Sequence, residues 1–149
     1  MRSEGQGTIE YLIIIAIIIV IALSVIMIML NFTEQTQSTA EKSARAAWST
    51  ASPWAITNWD HNVGRLTVVL QNNSGNTLYM NSVTVSGTVS TTESKSTVVP
   101  GAKTIAYITK TCTNGDAYSY STVVIDYNSE NINNQSQNGI KELVGTCHN

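Results

Sequence analysis

The stretch Gly5-Gln6-Gly7-Thr8-Ile9-Glu10-Tyr11-Leu12 opens directly into an aliphatic run, IIIAIIIVIALSVIMIML, from Ile13 to Leu30. Between Tyr11 and Leu30, Ser24 is the only strongly polar interruption. About 20 such residues, rising about 1.5 Å each, match the roughly 30 Å hydrocarbon core of a bilayer. A membrane-length helix is therefore expected, with Glu10 at its mouth. A carboxylate drawn to mid-bilayer costs about 2.5 to 3.5 kcal/mol, so a charge in this place calls for a partner or a task. A secretory signal has a shorter apolar core closed by a small-x-small site, and the nearest Ala-x-Ala triplet, Ala44-Arg45-Ala46, stands well beyond this run. A plain single-pass anchor accounts for the hydrophobicity but gives Gly5, Gln6 and Glu10 no joint role. Charge sets orientation only weakly, because Arg2 precedes the run while Lys42 and Arg45 follow it.

Past Leu30 the pattern changes without a stop signal. Phe32, Thr36, Ala40, Ala44, Ala47, Trp48 and Ala51 recur every three or four residues, with Glu34, Gln35, Gln37, Glu41, Lys42 and Arg45 around the rest of the wheel. This reads as an amphipathic extension of the same helix. Pro53 cannot continue it and pushes Ser52 toward extended backbone, so the helix should end near Thr50 to Ser52. Counted from Gln6, it would run about 46 residues, or roughly 70 Å.

From about Trp54 onward the residue types change to Val, Ile, Thr and Tyr. Arg65–Leu70, Thr77–Val85, Lys103–Lys110, Tyr118–Tyr127 and Ile140–Thr146 read as strands. Asn72-Asn73-Ser74-Gly75-Asn76, Pro100-Gly101 and Asn114-Gly115 mark turns between them. Short strands at this spacing suggest an immunoglobulin-like sandwich, one small core of about 96 residues. The expected architecture is α+β, a helical stalk over 6–52 followed by a β-sandwich head over 53–149.

Charged residues make up 12% of the chain, well below the usual quarter, and the net charge is −2. The head is polar through hydroxyls and amides, and no basic patch argues for nucleic acid. Asp60, Glu93, Asp116, Asp126, Glu130, Glu142, His61 and His148 show no spacing that makes a catalytic dyad or triad, so no enzyme and no cofactor are expected. Asp126-x-Asn128-x-Glu130 resembles the start of a calcium loop but has Asn131 in place of the glycine and Gln137 in place of the closing glutamate. It reads as a solvated loop.

Cys112 and Cys147 are the only cysteines, and an even pair in an extracellular domain suggests one disulfide. A metal is not expected, because no CxxC spacing is present, His61 is remote in sequence and His148 sits in a tail expected to fray. Three sequons begin at Asn31, Asn72 and Asn134. Asn72 and Asn134 fall in expected loops, whereas Asn31 abuts the apolar run.

The leader Met1-Arg2-Ser3-Glu4-Gly5 followed by Gln6-Gly7-Thr8-Ile9-Glu10-Tyr11-Leu12 resembles the class III signal peptides of archaeal type IV pilin-like proteins. The resemblance covers about 25 of the 149 residues, with a very short leader and with Thr8 where many relatives carry serine. It implies removal of residues 1–5 by a membrane-embedded prepilin peptidase cutting between Gly5 and Gln6. It also implies homopolymerisation into an extracellular, commonly adhesive filament by a membrane assembly machinery, from a subunit first held in the cytoplasmic membrane. Glu10 would then be the fifth mature residue, four positions from the new cationic amine of Gln6 and able to pair with that amine in its own or a neighbouring chain. An archaellum-type subunit, a minor pilin and a membrane-anchored sandwich that binds a ligand remain the alternatives.

Overall fold

The computed structural model describes residues 4–90 and 96–149, with the side chains of 4–8, 30–38 and 96 left aside. It divides into two compact units, Met1–Gln37 and Ser38–Asn149. The helix α1 (Glu4–Ser49) runs through both as 46 residues. It starts before Gln6 and stops just ahead of the expected Thr50–Ser52. Its end is closed by a tight turn, in which Thr50 N donates to Ala47 O at 3.4 Å and Ala51 N to Trp48 O at 3.2 Å. Asn73 supplies a cap from a distant turn, its Nδ2 donating to Ser49 O at 3.2 Å and Ala51 O at 3.1 Å. The Ser52–Pro53 peptide is cis and leads into the first strand.

Ten strands follow. β1 (Trp54–Asn62), β2 (Arg65–Asn72) and β6 (Lys103–Thr109) form an antiparallel sheet in the order β1-β2-β6. β3 (Leu78–Val85) pairs on one side with β8 (Val123–Ser129), which pairs in turn with β9 (Gln135–Asn138). On its other side β3 carries β4 (Thr88–Val89) and β5 (Ser96–Val98). β7 (Ala117–Tyr120) and β10 (Leu143–Thr146) make a separate antiparallel ribbon. With β1, β2 and β6 lettered A, B and E, and β3, β8 and β9 lettered C, F and G, the strands follow the A-B-E and C-F-G connectivity of immunoglobulin-type sandwiches.

Alternation explains which faces are buried. Leu66, Val68 and Leu70 of β2 point inward with Ala106 and Ile108 of β6, and Met80, Val83, Val123 and Ile125 do so from the other sheet. Trp48 and Ala44 of α1 belong to the same core, so the last turns of the helix act as part of the β domain. Trp54 N and O are both bonded by the Gln137 side-chain amide at 2.8 Å, which imitates a strand pairing between β1 and β9.

Three expectations are corrected. Residues 118–127 form two strands, broken at Ser121 and Thr122, because β7 pairs with β10 whereas β8 pairs with β3. The motif Asp126-x-Asn128 lies in β8 and is not a loop. Asp126 Oδ2 accepts from Ser82 Oγ at 3.1 Å, and Asn128 Oδ1 accepts from Asn81 Nδ2 at 3.2 Å and from Asn134 N at 2.8 Å. The C-terminal tail is tied down, with His148 N donating to His61 O at 2.9 Å and Val63 N donating to His148 O at 3.0 Å.

Candidate functional site

The N-terminal unit is built around one feature. Ile9–Met29 is a 21-residue helical segment of mean hydropathy 3.5, long and apolar enough to cross a membrane as an anchor or a signal. Its large aliphatic side chains are more than half exposed at most positions, Leu12, Ile18 and Leu23 each at 58–59%. Apolar surface of this extent is stable in water only when something covers it. Its one serine is internally satisfied, Ser24 Oγ donating to Val20 O at 2.8 Å. Glu10 is exposed in the second turn of the helix. Gly5 and Gln6 lie in the helical backbone, and residues 1–3 of the leader fall outside the described residues.

The last turns of α1 dock on the β domain through specific bonds. Trp48 is buried, and its Nε1 donates to Lys141 O at 2.9 Å. Arg45 reaches Glu41 Oε1 at 2.8 Å, Asn58 Oδ1 at 2.6 Å and Trp59 O at 3.2 Å, and its guanidinium lies 4.4 Å from the Trp59 ring centroid. This joint combines burial of a large aromatic with directional bonds, and so fixes the helix end in one register.

At the tail end of the domain, Cys112 and Cys147 are joined by a disulfide with an S–S distance of 1.91 Å, Cys147 lying one residue past β10. His61, set aside in the sequence as remote, sits beside them: a ring nitrogen and both sulfur atoms lie within 4.8 Å of one another. Two facts of topology bring it there. β1 carries His61 inward at 0% exposure, and the parallel bridge between Asn62 and His148 lays the tail alongside it. Tyr118 and Tyr120 of β7 wall the cluster, their ring centroids 5.1 and 5.7 Å from that of His61. Burial pushes the Tyr118 phenol well above its ordinary value, with the charges of Asp60 and Glu41 adding to it, and burial alone raises Tyr120.

The sequons part company in the fold. Asn72 is fully buried, its Nδ2 donating to Asn76 O and Val98 O at 2.8 Å each, while Oδ1 accepts from Ser74 N and Ser74 Oγ. An amide held this way is withdrawn from an enzyme acting on the folded chain. Asn134 is exposed, in a left-handed turn at φ 56° immediately before β9. Asn31 lies in α1, with its side chain outside the described residues.

No protein-family model matches the chain, and no curated protein matches it.

Proposed function

We propose that this chain is a structural subunit of an extracellular type IV pilus-like filament of archaeal kind, assembled through its N-terminal helix. The observation that carries the reading is the exposed 21-residue apolar segment with Glu10 at its mouth and Gly5-Gln6 just before it. Such a segment has two dry destinations, lipid before assembly and a bundle of like helices after it. Cleavage after Gly5 supplies an ammonium on Gln6, and Glu10 neutralises it within the chain or across to a neighbour. In a bundle core this pairing registers each incoming subunit, because removing one partner of a buried ion pair typically costs about 3 to 5 kcal/mol. The β domain would then remain on the outside, its surface polar through Ser, Thr and Asn. Adhesion is the task such a surface would serve.

The test is Glu10→Ala in cells that make the filament. The expected result is a membrane pool of normal size with filament yield reduced at least tenfold. Filaments at the normal yield would remove the registration mechanism.

A further inference from the structure

The cluster of His61, Cys112 and Cys147 has the donor set and the spacing of a metal site once the disulfide is open. We propose that the reduced chain binds a single thiophilic cation, Zn²⁺ or one of similar preference, through both cysteine thiolates and the His61 imidazole, and that disulfide formation abolishes the site. In a tetrahedral zinc site, bonds of about 2.3 Å to sulfur and about 2.1 Å to nitrogen put the ligand atoms about 3.6 to 3.8 Å apart. One ring nitrogen of His61 and the two sulfur atoms already lie within 4.8 Å of one another. Once the disulfide is open, reaching that geometry needs the sulfur atoms to part and the imidazole to approach by up to about 1.2 Å.

His61 keeps one ring nitrogen for a cation. Its Nε2 lies 3.0 Å from Lys110 O, and a carbonyl only accepts, so Nε2 carries the proton and Nδ1 the lone pair. A backbone carbonyl on the second ring nitrogen is the usual support of a metal-bound imidazole. The Tyr120 hydroxyl, 3.3 Å from Nδ1, is the bond that a cation would replace. His61 and Cys147 are buried and Cys112 is half-buried, and a solvent molecule is the fourth ligand of the proposed site.

Opening requires a dithiol. It delivers two hydrogens through thiol–disulfide exchange, becomes a disulfide itself and leaves Cys112 and Cys147 as thiols. Binding of the cation then releases their two protons.

The test uses the full chain in detergent, reduced and then freed of reductant without air, with Co²⁺ alone as the probe. The expected result is uptake of one equivalent, with a sulfur-to-cobalt charge-transfer band and the strong visible absorption of tetrahedral cobalt, both erased by Zn²⁺. The oxidised protein should take up none. His61→Gln should weaken binding at least about tenfold and reduce the visible absorption. Where His61→Gln fails to fold, the unsubstituted cobalt form should show a paramagnetically shifted imidazole N–H resonance. No uptake by the reduced chain, equal uptake by the oxidised chain, unchanged binding in His61→Gln or the lack of that shifted resonance would each overturn the proposal.

Discussion

Asn72 shows how one side chain decides between two uses of the same triplet. As a sequence, Asn72-Asn73-Ser74 is a glycan acceptor in a turn. As a structure, it is the bolt of that turn, with all four of its bonds directed at the chain from Ser74 to Asn76 and at Val98. Local polarity reveals the turn, but the burial of its first residue depends on β5 arriving from 26 positions away. Asn72→Ala leaves the buried Val98 O and the half-buried Ser74 N without these partners and should cost about 1 to 3 kcal/mol in a denaturant titration. Glycopeptide mapping of protein from a glycosylating cell should find modification at the Asn134 peptide and none at Asn72. A glycan on Asn72 of the folded protein would contradict this assignment. Gly145 is a second such residue, since a Cβ there would stand 2.5 Å from Tyr118 Oη and 2.8 Å from Cζ. Tyr118 is held between His61 and Tyr120, so it has little room to move aside. Gly145→Ala should therefore cost about 1 to 3 kcal/mol, read as a lowered Tm. The buried Tyr127 and the half-buried Tyr118 and Tyr120 predict a pH dependence. Tyr118, Tyr120 and Tyr127 all have raised values in the fold, so the unfolded chain releases protons first, near pH 10. Their contribution to stability is complete below about pH 10 and is lost as pH rises beyond it. The Tm should hold steady through pH 9 and then fall, and Tyr118→Phe should make that fall shallower.

At the scale of elements, α1 was the most legible feature and β1 the least. The helix follows from an unbroken aliphatic run, a three- to four-residue stripe and Pro53, all of which are local signals. The stripe's prediction for Ala44 and Trp48 is met by their full burial in the β domain. Trp48→Ala should cost about 3 to 5 kcal/mol in the domain's unfolding transition, because it empties a closed site against Gly139 and also removes the bond to Lys141 O. An unchanged transition would mean that the helix end does not share the core. β1 carries Asn58, Asp60, His61 and Asn62, poor strand formers, and a register shift between Ile56 and Asn58 interrupts its alternation. β9, Gln-Ser-Gln-Asn, has no apolar residue to alternate. Its place is set by pairing with β8 and by the Gln137 bonds to Trp54, which no single segment encodes. The break between β7 and β8 is hidden for the same reason, as Tyr, Ser, Thr and Val run on through it.

For the whole molecule, composition and the Gly5-to-Leu30 stretch carried the class of architecture, while the long-range closures had to be seen. The Cys112–Cys147 bond was legible as a pair, whereas its neighbour His61 was not, because distance along a chain says little about distance across a sheet. The bond closes a sequence separation of 35, which is worth about 4 kcal/mol in the chain-entropy picture. The proposed filament reading rests on the N-terminal unit, whose apolar segment needs a dry partner and whose Gly5-Gln6 junction, cut as proposed, would expose a new amine. The most direct measurement is N-terminal sequencing of the chain recovered from sheared surface filaments of its native cell. The account predicts Gln6 as the first residue, in a fraction rich in fibres. Met1 retained in the membrane fraction, with none of the chain in the fibres, would contradict it.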